Sequence, residues 1–181
     1  MRPKEPPKYY RQDPNYVMSP VFLSDSAYRE ALDSLVIVCT DAVIINRTKR
    51  TFYLAKRSVK PQQDWWIIGG RTNAGEDPFE SVARCFNRET KLSVKPERFT
   101  FVSMDRYLWK ERKQEPQRNG CDAFSYTFCV ELSDEELQRA VASLEPKEYD
   151  ATTGLQEFDG IRLREAKVHP VLIDLYHDIF Q

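Results

Sequence analysis

The 181-residue chain has no excess of charge of either sign: 27 lysines and arginines stand against 28 aspartates and glutamates. A near-neutral chain has no general attraction for nucleic acid or for an anionic membrane, so neither is expected as a partner. Paired-cysteine motifs are also missing. Cys39, Cys85, Cys121 and Cys129 show no CxxC or finger spacing, and Cys39 and Cys129 fall in strand-like runs where small buried thiols are expected. No apolar run is long enough to span a bilayer, and the Pro-rich, charged start does not read as a signal peptide. The chain therefore reads as cytoplasmic. Histidine is scarce: only His169 and His177 occur, both in the terminal helical segment, where surface or capping roles are expected. No internal repeat is present.

What remains suits one domain with an extension. The first twenty residues hold five prolines with tyrosines between them. Prolines remove backbone donors, so residues 1–23 read as an extended arm that enters no sheet. Tyr9, Tyr10 and Tyr16 could dock this arm on the body or on a second subunit, which makes a homodimer one expectation. Residues 24–181 form the domain. A short helix is expected over 24–35 and a hairpin from 35–46 and 51–57, followed by a strand over 65–70 that ends in a glycine turn. A helix from Asp77, strands over 98–109 and 122–132, a capped helix over 133–144, a last strand or turn over 155–163 and a terminal helix complete the order. Strands and helices mixed in this sequence point to an α/β fold, a sandwich around a mixed sheet.

The stretch "GGRTNAGEDPFESVARCFNRETKL", residues 69–92, carries the chemistry. Asp77 and Pro78 are an N-cap and first-turn pair, and Glu80 sits where a capping-box acid would. Phe79, Val82, Ala83, Phe86 and Thr90 share one face for packing on a sheet. Glu80, Arg84 and Arg88 make an i,i+4 ladder on another. Glu89 lies in the last turn, where the helix dipole disfavours an anion and a bound cation would reverse that cost.

Gly70, Glu76 and Arg84 then reproduce the first half of the Nudix box, and Arg84, Phe86, Glu89 and Leu92 fit its second half. Cys85 and Arg88 stand where two of the three metal-binding glutamates belong, and Lys91 replaces a glycine. The resemblance runs from about residue 35 to 163 and implies a Nudix-like α/β/α sandwich around a mixed β-sheet. Within the family the chain is similar to the GDP-mannose mannosyl hydrolases, which also keep only the last glutamate. It shares with them the leading helix, Lys56–Arg57 and the Gly69–Gly70–Arg71 run. That resemblance implies one Mg²⁺ or Mn²⁺ on Glu89 and the Gly69 carbonyl, with Arg57 and Arg71 facing the diphosphate to stabilise the leaving group. The family branch takes its base from a late Gln-His pair. Here Gly154 and Leu155 align with that pair, so a late carboxylate is expected instead: Glu157, or else Asp150 or Glu148.

Trp65 and Trp66 alternate sides of a strand, so one ring, Trp66, is available to stack on a base or sugar. Arg88 could pair locally or reach a substrate phosphate. The loop around "RYLWKERKQEPQR" interleaves basic and aromatic residues and reads as a solvated loop on the substrate side. Two functions follow from these residues. One is hydrolysis of a nucleoside-diphosphate-linked small molecule such as a nucleotide sugar. The other is a catalytically inactive module that binds a nucleotide or a protein partner.

Overall fold

The computed structural model describes residues 5, 6 and 8–180. Residues 8–23 of the arm form no helix or strand. Tyr9 donates its hydroxyl to the Gly75 carbonyl at 3.0 Å, which ties the arm to the loop before the central helix. Part of residues 1–23 lies outside the described residues.

Helix α1 (Asp25–Ser34) starts where Ser24 caps the Ala27 amide. Strand β1 (Ile37–Asn46) turns back into β2 (Thr51–Lys56), as the paired apolar runs predict. The expected strand over 65–70 is two strands: β3 (Trp65–Trp66) pairs with β2, and β4 (Ile68–Arg71) pairs with β1. Its glycines therefore sit inside a ladder, not in a turn. Helix α2 (Pro78–Thr90) begins with Asp77 capping the Phe79 amide and ends with Lys91 in the left-handed region, φ 56°. Strands β5 (Thr100–Trp109) and β6 (Cys121–Glu131) pair antiparallel. Helix α3 (Asp134–Ala142) has a full capping box from Ser133 and Glu136. The last expected strand is β7 (Leu155–Phe158), and the residues after it form a separate short helix, α4 (Gly160–Glu165), capped by Asp159. Helix α5 (Pro170–Phe180) closes the chain.

The sheet runs β3-β2-β1-β6-β5, with β4 on β1 and β7 on β2; β1 and β6 are parallel and the other pairs antiparallel. Alternation along β1 divides the core. Ala42 and Ile44 pack with Val82 and Phe86 of α2, while Val43 and Ile45 pack with Leu172 and Leu175 of α5. Helices thus cover both faces of a mixed sheet, the sandwich expected from the sequence. Among the described residues no helix is long and apolar enough to cross a membrane.

Candidate active site

The row Ile45, Val43, Asp41, Cys39 points to the α5 side of the sheet. Its first two members are core, but Asp41 and Cys39 line a cleft of about 460 Å³. Strand β6 adds Ala123 and Ser125, β5 adds Tyr107 and Trp109, and β3 adds Trp66. Trp66 meets Tyr107, Trp109 and His169 edge-on, and Tyr107 stacks on Trp109 with 11° between the rings. His169 accepts from the Val171 amide at the start of α5, the capping role expected of it.

Asp41 is the buried acid of the cleft, 8 % exposed and accepting from Ser125 at 2.5 Å. Burial pushes its carboxyl up to about 6, against the opposing pull of the Ser125 bond and Arg57. Sequence reading passed over it because "CTDAVII" looks like one buried strand with a polar interruption. The signal was that interruption, since an unpaired acid inside a strand needs a reason. The neighbouring Cys39 thiol is held up at about 12, mainly by burial and then by Asp41, so it stays protonated.

Strand β4 lies beside this acid with Gly69 opposite Asp41 and Gly70 opposite Thr40. A methyl on Gly69 would collide with the Asp41 carboxylate and stand 2.6 Å from the Thr40 carbonyl. A methyl on Gly70 would stand 2.5 Å from Arg88 Nη2. Bare backbone here lets β4 close on β1 and lets Arg88 lie across it.

The two ends of α2 are wired differently. At the start, Glu76 accepts from Arg84 Nε at 2.5 Å and Nη2 at 2.8 Å, and from the Asn73 amide at 2.9 Å. Arg84 Nη2 also reaches the Arg71 carbonyl at 2.8 Å. The expected Glu80–Arg84–Arg88 ladder is absent among the described residues, because Glu76 offers Arg84 a bidentate partner that exposed Glu80 cannot match. At the end of the helix, Arg88 Nε donates to Glu89 Oε1 at 2.7 Å, and Nη2 lies 2.5 Å from the same oxygen. Nη2 also donates to the Gly69 carbonyl at 3.2 Å. Glu89 is 2 % exposed, and its Oε2 is buried without a partner. Burial raises its carboxyl above the usual range, against the pull of Arg88.

The residues expected to bind metal, Glu89 and Gly69, are thus brought together, with the Arg88 guanidinium between them. As folded they do not fit a resident divalent ion. One carboxylate is already neutralised, and Cys85, pushed up mainly by burial, adds no charge. Among the described residues no trio of His, Cys, Asp or Glu could hold a metal.

Arg57, Arg71, Arg88 and Trp66 all line the cleft, as do Lys60, Arg112 and Lys113. Arg57 pairs with Glu148 at 3.4 Å, and Arg71 lies over the Tyr28 ring at 3.8 Å. Of the three late carboxylates, only Glu148 lines the cleft. Glu157 is not brought to it, because β7 directs that side chain to Thr51 and Lys49, at 2.6 and 3.4 Å. Asp150 clasps Thr152 and Thr153 in a turn, which lowers its carboxyl to about 2. Arg112, missed from sequence inside a polar loop, is 1 % exposed and held by Asp33 of α1 at 2.7 Å.

Comparison with known proteins agrees with the fold. Residues 37–174 match the NUDIX domain model, well over half the chain. A MutT NUDIX hydrolase from Burkholderia pseudomallei superposes with a TM-score of 0.58 at 18% identity, covering 78% of this chain and 97% of that one. The E. coli dihydroneopterin triphosphate pyrophosphohydrolase gives 0.54 at 13%, covering 79% and 94%. A C. elegans Ap4A hydrolase in a binary complex gives 0.52 at 13%, covering 80% and 95%. At these identities the solved structures speak to the fold alone, and the comparison with curated proteins gives no match. With the box residues placed on the loop and helix as described, the domain match decides the family: the chain belongs to the Nudix hydrolases.

Proposed function

We propose that the cleft binds and hydrolyses a nucleoside-diphosphate-linked small molecule of the nucleotide-sugar class. The observation that carries this reading is the convergence of Arg57, Arg71, Arg88 and Arg112 on one cleft with Asp41 in its wall. Four guanidiniums suit a diphosphate, whose oxygens accept paired N–H donors, and charge on a departing phosphate oxygen is stabilised by the same groups. Trp66, Tyr107 and Trp109 supply an apolar wall for the base or sugar.

Asp41 is our choice for the proton acceptor. A carboxyl held up at about 6 is mostly ionised at neutral pH yet more basic than an exposed aspartate. It takes the proton of the attacking water as the bond to the departing phosphate oxygen breaks. Glu148 holds Arg57 by their ion pair. The Mg²⁺ or Mn²⁺ implied by the resemblance has no part in these steps, because the residues present do not fit it.

A panel of nucleotide sugars and dinucleotides, assayed with EDTA, Mg²⁺ or Mn²⁺ and read for nucleotide and sugar products, tests the proposal. We expect nucleotide release from at least one nucleotide sugar, and loss of that release in Asp41→Asn. Saturable binding without products in any condition would turn the reading to the inactive binding module.

A further inference from the structure

We infer that Arg88 replaces the divalent ion of this fold: a tethered guanidinium supplies the positive charge between Glu89 and the Gly69 carbonyl. This rests on the diphosphate reading above and names what meets the phosphates there.

The argument begins with Glu89. A carboxylate that is 2 % exposed needs a counter-charge, and among the described residues the only cation bonded to it is its neighbour in sequence, through Nε at 2.7 Å. The Gly69 carbonyl, the second expected ligand, accepts from the same guanidinium at 3.2 Å. One side chain therefore engages the two groups that would have shared an ion. Gly70 keeps this seat open, since any side chain there would meet Nη2 at 2.5 Å.

Substitution around the seat is consistent in sign. Cys85 stands where a second carboxylate would be and is buried with its thiol pushed up, so it stays neutral at neutral pH. One negative charge faces one positive charge, and a divalent ion would have to displace a cation that cannot diffuse away. The guanidinium also keeps capacity for a ligand. Its side chain is half-exposed, it lines the cleft, and Nη1 is not used by Glu89 or Gly69. Two N–H donors thus remain for a phosphate oxygen, which suits a planar fork better than a hydrated point charge.

The consequence is a site whose affinity for a diphosphate does not depend on divalent metal. Mn²⁺ titration followed by electron paramagnetic resonance, and ADP titration by calorimetry in EDTA or in Mn²⁺, read this directly. Wild type should bind no Mn²⁺ in the free state, and its ADP affinity should be the same with and without the ion. Arg88→Glu should gain a Mn²⁺ site with Glu89 and lose about tenfold in metal-free ADP affinity. Arg88→Gln, which adds no charge beside Glu89, should show the same loss of ADP affinity in EDTA. Mn²⁺ bound by free wild type, or a wild-type ADP affinity raised about tenfold by Mn²⁺, overturns the inference. A variant Arg88→Glu that gains no Mn²⁺ also overturns it, since Arg88 would then not hold the place of an ion. If wild type binds no ADP in any condition, the diphosphate reading fails, and the Mn²⁺ contrast between wild type and Arg88→Glu still decides the part of Arg88.

Discussion

The start of α2 and its end stand about three turns apart and solve opposite problems. At the start, the Glu76 carboxylate collects two guanidinium bonds and a backbone amide, and Arg84 goes on to the Arg71 carbonyl. These bonds fasten the loop to the helix. At the end, Glu89 is buried with one oxygen unpartnered, Arg88 is half-exposed, and the floor beside them holds an acid raised to about 6. The first end is built for stability. The second keeps groups in states that folding alone would not favour, as binding surfaces do.

The sharpest way to break that contrast is to fill the glycines. Gly69→Ala should destabilise by about 3 kcal/mol or prevent folding, because its methyl meets the Thr40 backbone as well as Asp41. Gly70→Ala should cost less than about 1 kcal/mol, since its methyl meets only the far end of the flexible Arg88 side chain. Paired urea melts check both, and equal losses would show that the two glycines do not differ in role.

Next in size is Asp41→Asn, which should stabilise. The folded protein holds this proton more tightly than the unfolded chain does. The contribution of Asp41 to wild-type stability therefore falls as pH rises from the ordinary 3.8 to about 6, and is level above. Removing the charge should gain about 3 kcal/mol at neutral pH and nothing below pH 3.8. The same change should lower turnover at least about hundredfold. Melting temperatures of both proteins across this pH range test it; a difference that does not change with pH would mean that Asp41 ionises as freely as an exposed acid.

The smallest effects compare the two glutamates of the helix region. Glu76→Gln should cost about 1–2 kcal/mol, the value of a charge-assisted pair discounted because Arg84 is about one-third exposed. Glu89→Gln should stay within about 0.5 kcal/mol of wild type, because losing the ion pair is offset by no longer burying a charge. Arg88 is half-exposed and can turn to water. Urea midpoints should fall for the first variant and hold for the second. The reverse order would place the stabilising brace at the wrong end.

Much of the fold was legible because local rules agree with the tertiary outcome. The Asp77–Pro78 start of α2, the Ser133–Glu136 capping box and the apolar runs of β1 and β2 each declare an element from a few residues. The candidate site was legible in the box and in the two strands that precede it. Gly69, Arg57, Arg71, Arg88 and Trp66 line one cleft and Glu89 is bonded to Arg88, while Glu157 lies elsewhere because spacing does not fix the path of the loop before β7.

The sequence by itself determined the α/β alternation, the loop-and-helix motif and the replacement of two expected carboxylates by Cys85 and Arg88, because these depend on residue type at short range. Only the tertiary structure decided what those replacements do. Whether Arg88 turns to Glu80, to water or to Glu89 depends on where β4 lies, and β4 lies where Gly69 can close on Asp41. The same holds for Asp41 itself. Its row continues the core of Val43 and Ile45, yet it reaches a cleft lined also by the Ser125, Tyr107 and Trp109 rows. Alternation tells which side of a strand a residue faces; only the packing of helices and neighbouring strands decides where along that side the core stops.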